Sequence, residues 1–198
     1  MASLQTKIQI WNMSLDILRE QPLSSVDDNV AAAKWLSRNY DQQRDYLLER
    51  TLWKFALDRA SIAADATAPA WGWTYRYLMP TDMVRLVPPT CDGAWMGTPI
   101  MYEMESGYLM CDVAGPLRIR YIKRITNEGT FTNGFCEVLA LRLARRMAHW
   151  MTGKQTYVQQ IDAMLKEAWV EVRDMEAFQV AGGTYYDDDL AQIKEAVY

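Results

Sequence analysis

Leu117-Arg118-Ile119-Arg120-Tyr121-Ile122-Lys123 is the stretch on which the fold class turns. Leu117, Ile119 and Tyr121 alternate with Arg118 and Arg120, and a period of two marks a strand with one face buried. The surroundings agree. Between Trp53 and Arg124 there are six prolines, and short apolar or alternating runs stand between turn residues. Tyr75–Leu78, Met83–Val87, Met101–Met104 and Tyr108–Met110 read as further short strands. Pro80, Pro88-Pro89, Gly97, Pro99, Gly107 and Gly115-Pro116 separate them. Ser106-Gly107 sits between two of the runs and predicts a hairpin turn. This middle reads as a small, mostly antiparallel sheet.

On either side the period becomes helical. Leu4, Ile8, Trp11, Leu15 and Leu18 recur at steps of four and three, which predicts a helix over about 4–19. Pro22 and Ser24-Ser25 interrupt it, and Ser25 with Asp28 reads as the N-cap of a second helix over 27–51. Ala33, Leu36, Tyr40 and Leu47 form the apolar face of that helix. A third helix opens at Asn133 with Phe135, Leu139, Leu143, Met147 and Trp150 on one face, and Gly153 is its predicted stop. Val158, Ile161, Leu165, Ala168, Val172 and Met175 give a fourth, ending near Phe178. The expected fold is α+β and mainly α. An antiparallel bundle of four helices from residues 1–52 and 133–178 carries an inserted small antiparallel β region over 53–132. Gly182-Gly183 then uncouples a flexible C-terminal tail, residues 179–198.

Composition bounds the function. The chain has 198 residues, 50% apolar and 23% charged, which is globular composition with enough length for a real core. Its net charge of −4 argues against a free-standing nucleic-acid binder, whose affinity comes from neutralising phosphates. No apolar run approaches the ~20 residues of a membrane span, and Met1 to Gln9 predicts no secretory signal. Cys91, Cys111 and Cys136 are scattered, and with His149 as the single histidine no metal site or cofactor is expected.

Candidate surfaces remain. Trp71-Gly72-Trp73-Thr74-Tyr75-Arg76-Tyr77 offers aromatics for stacking on a ligand, or for filling the seam between sheet and helices. Arg142, Arg145, Arg146 and His149 share a face of the third helix, open to DNA phosphates or an acidic partner. Ion pairing with Asp41, Asp45, Glu49 or Glu167 is the plainer reading of that face. Arg118, Arg120, Lys123 and Arg124 add a second basic strip. Glu103 and Glu105, two apart on a strand, share one face, and paired carboxylates suit glycoside hydrolysis as well as plain solvation. In the tail, Tyr185, Tyr186 and Asp187-Asp188-Asp189 predict a segment that orders against a partner.

Several blocks in order carry a resemblance. They are Ile10-Trp11-Asn12-Met13-Ser14-Leu15-Asp16-Ile17-Leu18, Gln21-Pro22-Leu23-Ser24-Ser25, and Tyr40-Asp41-Gln42-Gln43-Arg44-Asp45-Tyr46-Leu47-Leu48. Trp53-Lys54-Phe55-Ala56 and Trp71-Gly72-Trp73 follow, then Tyr77-Leu78-Met79-Pro80-Thr81-Asp82 and Met83-Val84-Arg85-Leu86. The last are Phe135-Cys136-Glu137-Val138-Leu139-Ala140-Leu141-Arg142-Leu143-Ala144 and Met151-Thr152-Gly153. Over residues 4–178 the chain resembles the head-to-tail adaptor family of tailed bacteriophages, the podovirus tail tubular protein and its relatives. The resemblance implies a non-enzymatic structural virion protein: a connector ring of about twelve copies that binds the portal, carries the tail nozzle or next tail component and continues the DNA channel for genome retention and ejection. It implies location in the virion neck after assembly in the host cytoplasm, with double-stranded DNA passing through and no membrane contact. Trp71, Trp73 and the strip from Arg118 to Arg124 are expected toward the distal tail component, because strand ends and loops carry recognition. The enzymatic alternative is a tail-associated, muramidase-like cell-wall hydrolase using Glu103 or Glu105.

Overall fold

The computed structural model describes residues 5–95, 97–153 and 155–178. Among the described residues four helices and two small antiparallel sheets give an α+β fold. It divides into two compact units at Phe55/Ala56 and again at Arg124/Ile125.

In the helical unit, α1 spans Lys7–Leu18, α2 Ala31–Arg50, α3 Asn133–Thr152 and α4 Gln155–Phe178. Helix α1 starts where the Gln9 side chain reaches back to accept the Thr6 N–H at 2.7 Å, half of a capping box. It ends at Arg19 with φ 61°, a left-handed cap. Asn12 then both donates to the Leu23 carbonyl and accepts the Leu23 N–H, so the turn after α1 is tied back to the helix. The start of α2 differs from expectation. Asp28 accepts the N–H groups of Ser24 and Ser25 and closes a turn, so it does not serve the helix. The helix begins three residues later, and Val30, which has no capping side chain, stands at its N-cap.

Helix α3 packs against α1, α2 and α4. That is why Phe135, Cys136, Val138, Leu139, Ala140, Leu141, Leu143, Ala144, Met147 and Ala148 are all buried, well beyond a single stripe. Gly153 stops it at φ 65°, its N–H donating to the His149 carbonyl. Trp53 lies fully buried within an aromatic cluster, 4.8 Å from Phe135, and its Nε1–H donates to the Leu47 carbonyl at 2.7 Å.

The described residues of the β unit form six strands: β1 Leu57–Ile62, β2 Tyr75–Leu78, β3 Met83–Val87, β4 Glu103–Glu105, β5 Tyr108–Cys111 and β6 Leu117–Lys123. They form two sheets, of order β1-β6-β3 and β2-β5-β4, where a single sheet was expected. The chain changes sheet four times, after β1, at the Pro80 turn, after β3 and at Gly115-Pro116, so sequence neighbours part company. Strand β1 was not anticipated. Its Leu-Asp-Arg-Ala-Ser-Ile run is weakly apolar, and its place comes from pairing with β6. The Ser106-Gly107 hairpin is present, with φ 48° and 82° at the two turn residues. Tyr77, Leu109 and Cys111 from one sheet meet Leu117, Ile119 and Tyr121 from the other in one core. No helix among the described residues is long and apolar enough to cross a membrane.

Candidate functional site

Strand β6 turns Leu117, Ile119 and Tyr121 into the β-unit core, which leaves Arg118 and Arg120 on the opposite face. The antiparallel register sets Arg59 of β1 directly across from Arg120, and Ser61 across from Arg118. Like charges facing each other on a sheet destabilise it by about 0.2–1 kcal/mol. Arg59 and Arg118 are exposed, and Arg120 is half-buried with its guanidinium 5.1 Å from the Trp95 ring. Burial first, and then Arg59, pull the Arg120 pKa below its usual value, with Asp92 acting in the opposite sense. The buried Nε of Arg120 has no hydrogen-bond partner. Asp92 is held by a turn, accepting the Ala94 N–H at 2.9 Å, and that bond holds its carboxyl below the usual range. The result is a guanidinium surface with less acid than base, suited to bidentate capture of carboxylate or phosphate.

The second sheet presents a different face. Tyr77 and Leu109 point into the core, so Arg76, Leu78, Tyr108, Met110, Glu103 and Glu105 lie on the outside by register. Glu103 and Glu105 are both exposed on β4, and Glu103 accepts the Trp73 indole N–H at 3.0 Å. Arg76 stands 4.8 Å over the Tyr108 ring and is paired with Asp65 at 3.3 Å. Trp71 is 74% exposed, so it fills no seam. Of the aromatic segment, Tyr77 alone is fully buried; it fills the β-unit core and its hydroxyl donates to the Val113 carbonyl at 2.6 Å.

The α3 arginines are split between neighbours. Arg142 donates from Nε to Gln43 of α2 at 2.8 Å and lies 3.7 Å over the Tyr46 ring, with burial lowering its pKa. Arg145 donates to Asp162 of α4 at 2.8 Å. Asp41 and Asp45 are taken by the buried Arg44 of their own helix. Arg146 and His149 are exposed. In the β unit Arg124 is also exposed, its backbone N–H donating to the Asp82 carbonyl at 2.7 Å, and Lys123 bridges Asp58 and Asp82. Tyr185 and Tyr186, with the rest of the tail, lie outside the described residues.

A cavity of about 440 Å³ lies beside the start of α2, lined by Val26, Asp27, Asp28, Lys34, Ser37 and Arg38. Of its polar side chains, Asp28 is held by the turn and Arg38 donates from Nε to the Lys34 carbonyl. Among the described residues no group of His, Cys, Asp and Glu is arranged to hold a metal, and Cys111 and Cys136 are buried. Arg59 and Trp95 escaped the sequence reading. In the structure Ala60 and Ile62 pack against the β-unit core, which sets Arg59 on the outer side of β1, and the pairing with β6 brings it to Arg120. No protein-family model and no curated protein matches the chain.

Proposed function

We propose that this chain is a structural virion protein, a head-to-tail adaptor whose copies form a ring between the portal and the tail nozzle of a tailed bacteriophage. The observation that supports it best is the construction of the chain. A helical unit built from both sides of the sequence carries a β unit inserted between α2 and α3, and the adaptor resemblance implies that insertion. On this reading the four helices form the antiparallel bundle, and α2 and α3 supply faces between subunits. The ring has about twelve copies, because heterologous contacts close only at a fixed number set by the portal. The role is non-enzymatic, and Glu103 and Glu105 act as surface charges.

A net-acidic subunit suits a channel that guides DNA, since each phosphate neutralised adds affinity that slows passage. The site of action is then the virion neck, reached after assembly in the host cytoplasm. Reconstruction of the neck of purified particles tests the reading. A closed ring of this chain between portal and nozzle is expected. Its presence as one copy or an open spiral, or its absence from the particle, overturns it.

A further inference from the structure

The two outer faces of the β unit carry opposite charge, and they lie on opposite sides of one shared core. One is the β1-β6-β3 face with Arg59, Arg118 and Arg120; the other is the β2-β5-β4 face with Glu103 and Glu105. On the first, base exceeds acid: Arg59 faces Arg120 across the ladder, and Asp92 offsets part of that charge. On the second, Arg76 is already engaged by Asp65, and the two exposed glutamates carry the remaining charge, Glu103 also accepting the Trp73 indole N–H. Apolar surface stands beside them, with Leu78 56% exposed opposite Tyr108 in the register. Within one β unit these faces cannot meet, because the core lies between them.

We propose that the basic face of one copy docks on the acidic, apolar face of the β2-β5-β4 sheet of a second copy, as a head-to-tail contact between β units. Charge complementarity selects that occupant. Carboxylates along one edge of a partly apolar face match guanidiniums beside Trp95, and the arrangement is heterologous, so a pair of copies still presents one free face of each kind. Three strands ~4.8 Å apart make a face only about 14 Å wide, well short of the ~800 Å² per partner of a stable interface. The contact is therefore reversible and needs high concentration, with charge setting orientation. The proposal deepens the adaptor reading by naming a surface between neighbouring subunits.

A charge swap on the full-length chain tests it. Arg59→Glu with Arg118→Glu makes both faces acidic, and Glu103→Lys with Glu105→Lys makes both basic; all four side chains are exposed. Sedimentation velocity at low salt follows association. Wild type is expected to associate, with weakening as salt screens the contact. Each variant alone is expected to associate about a hundredfold more weakly. The equimolar mixture regains wild-type association, since both kinds of contact are then restored. Association by either variant alone at the wild-type level overturns the proposal, as does a mixture no larger than its components or a wild type that stays monomeric. Circular dichroism checks folding; should reversal unfold a chain, the neutral pairs Arg59→Gln with Arg118→Gln and Glu103→Gln with Glu105→Gln repeat the comparison, with about tenfold weakening expected. A mixture that fails while a neck ring is seen removes this contact and leaves the adaptor reading. Restored pairing with no copy in the neck supports the contact and removes the adaptor reading.

Discussion

In the helical unit two arginines of α2 and α3 are drawn inward, while Arg38, Arg50, Arg145 and Arg146 stay exposed: Arg44 is buried between Asp41 and Asp45, and Arg142 lies over Tyr46 with Gln43 as acceptor. In the β unit, Arg59 and Arg118 stand exposed on a face whose neighbours are also basic. The difference follows from geometry. A helix packed on several sides has partners within reach of a long side chain, and guanidinium forks join one helix to the next. A sheet buries one face and commits every second residue to the other, so charge on a strand has nowhere to go but outward. Both units pair part of their charge, the β unit through Arg76 with Asp65 and Lys123 with Asp58 and Asp82, but Arg44 and Arg142 are drawn into the helical packing while Arg59 and Arg118 are displayed.

The comparison breaks most visibly in the cores. Trp53→Ala should destabilise the helical unit by about 3–5 kcal/mol, through a cavity among Phe55, Phe135 and Trp169 and the loss of the bond to Leu47. Tyr77→Ala should do the same to the β unit. Scanning calorimetry should resolve two transitions, each shifted by its own substitution. One transition moved equally by both would merge the units into a single cooperative block.

Glycines sharpen the contrast. A Cβ on Gly134 of α3 would stand 2.7 Å from the Cγ2 of Val172 on α4, whereas one on Gly107 would meet nothing within 4 Å. Gly134→Ala should cost about 1–3 kcal/mol by overpacking, despite the better helix propensity of alanine. Gly107→Ala should cost about 1–2 kcal/mol for a different reason, the left-handed backbone at φ 82°. Urea denaturation reads both. If Gly107→Asn recovers stability and Gly134→Asn does not, packing and backbone are separated as stated.

A smaller effect concerns Glu176, buried in the helical unit with its carboxylate accepting the Lys54 N–H at 2.9 Å. Burial raises its pKa above the ordinary value, against the lowering effect of that hydrogen bond. The folded state then binds the proton more tightly than the unfolded one. Its contribution to stability grows as pH falls through the raised folded value and levels off below the unfolded value. Glu176→Gln keeps an acceptor for Lys54 and removes the charge. It should raise stability at pH 7, with the gain shrinking toward pH 4; equal stability of the two proteins across that range would refute the assignment. Least affected should be Arg145→Ala, which breaks an exposed pair with Asp162 and should change stability by only about 0.2–1 kcal/mol in chemical denaturation.

Several features were legible in the residues themselves. Gly153 as a helix stop, Ser106-Gly107 as a turn and the two-residue period of β6 each follow from local rules on backbone and burial. Asp28 misled, because a carboxylate near a helix start can cap the helix or close the preceding turn, and only the structure shows it taking the N–H groups of Ser24 and Ser25. Within the candidate surface, Arg118 and Arg120 were visible as a strip, while Arg59 gave no sign of belonging with them.

By itself the sequence determined that four helices form and nearly where they run, the start of α2 excepted, and that β6 has a core side and a charged side. Both are periodicities, and a period is written in residues three, four or two positions apart. Tertiary structure alone decided that Leu57 pairs with Ile122, that six strands divide into two sheets, and that guanidiniums and carboxylates end on opposite outer faces. Those are pairings between distant segments. Their register is selected by the burial of many side chains at once, so no local pattern records it.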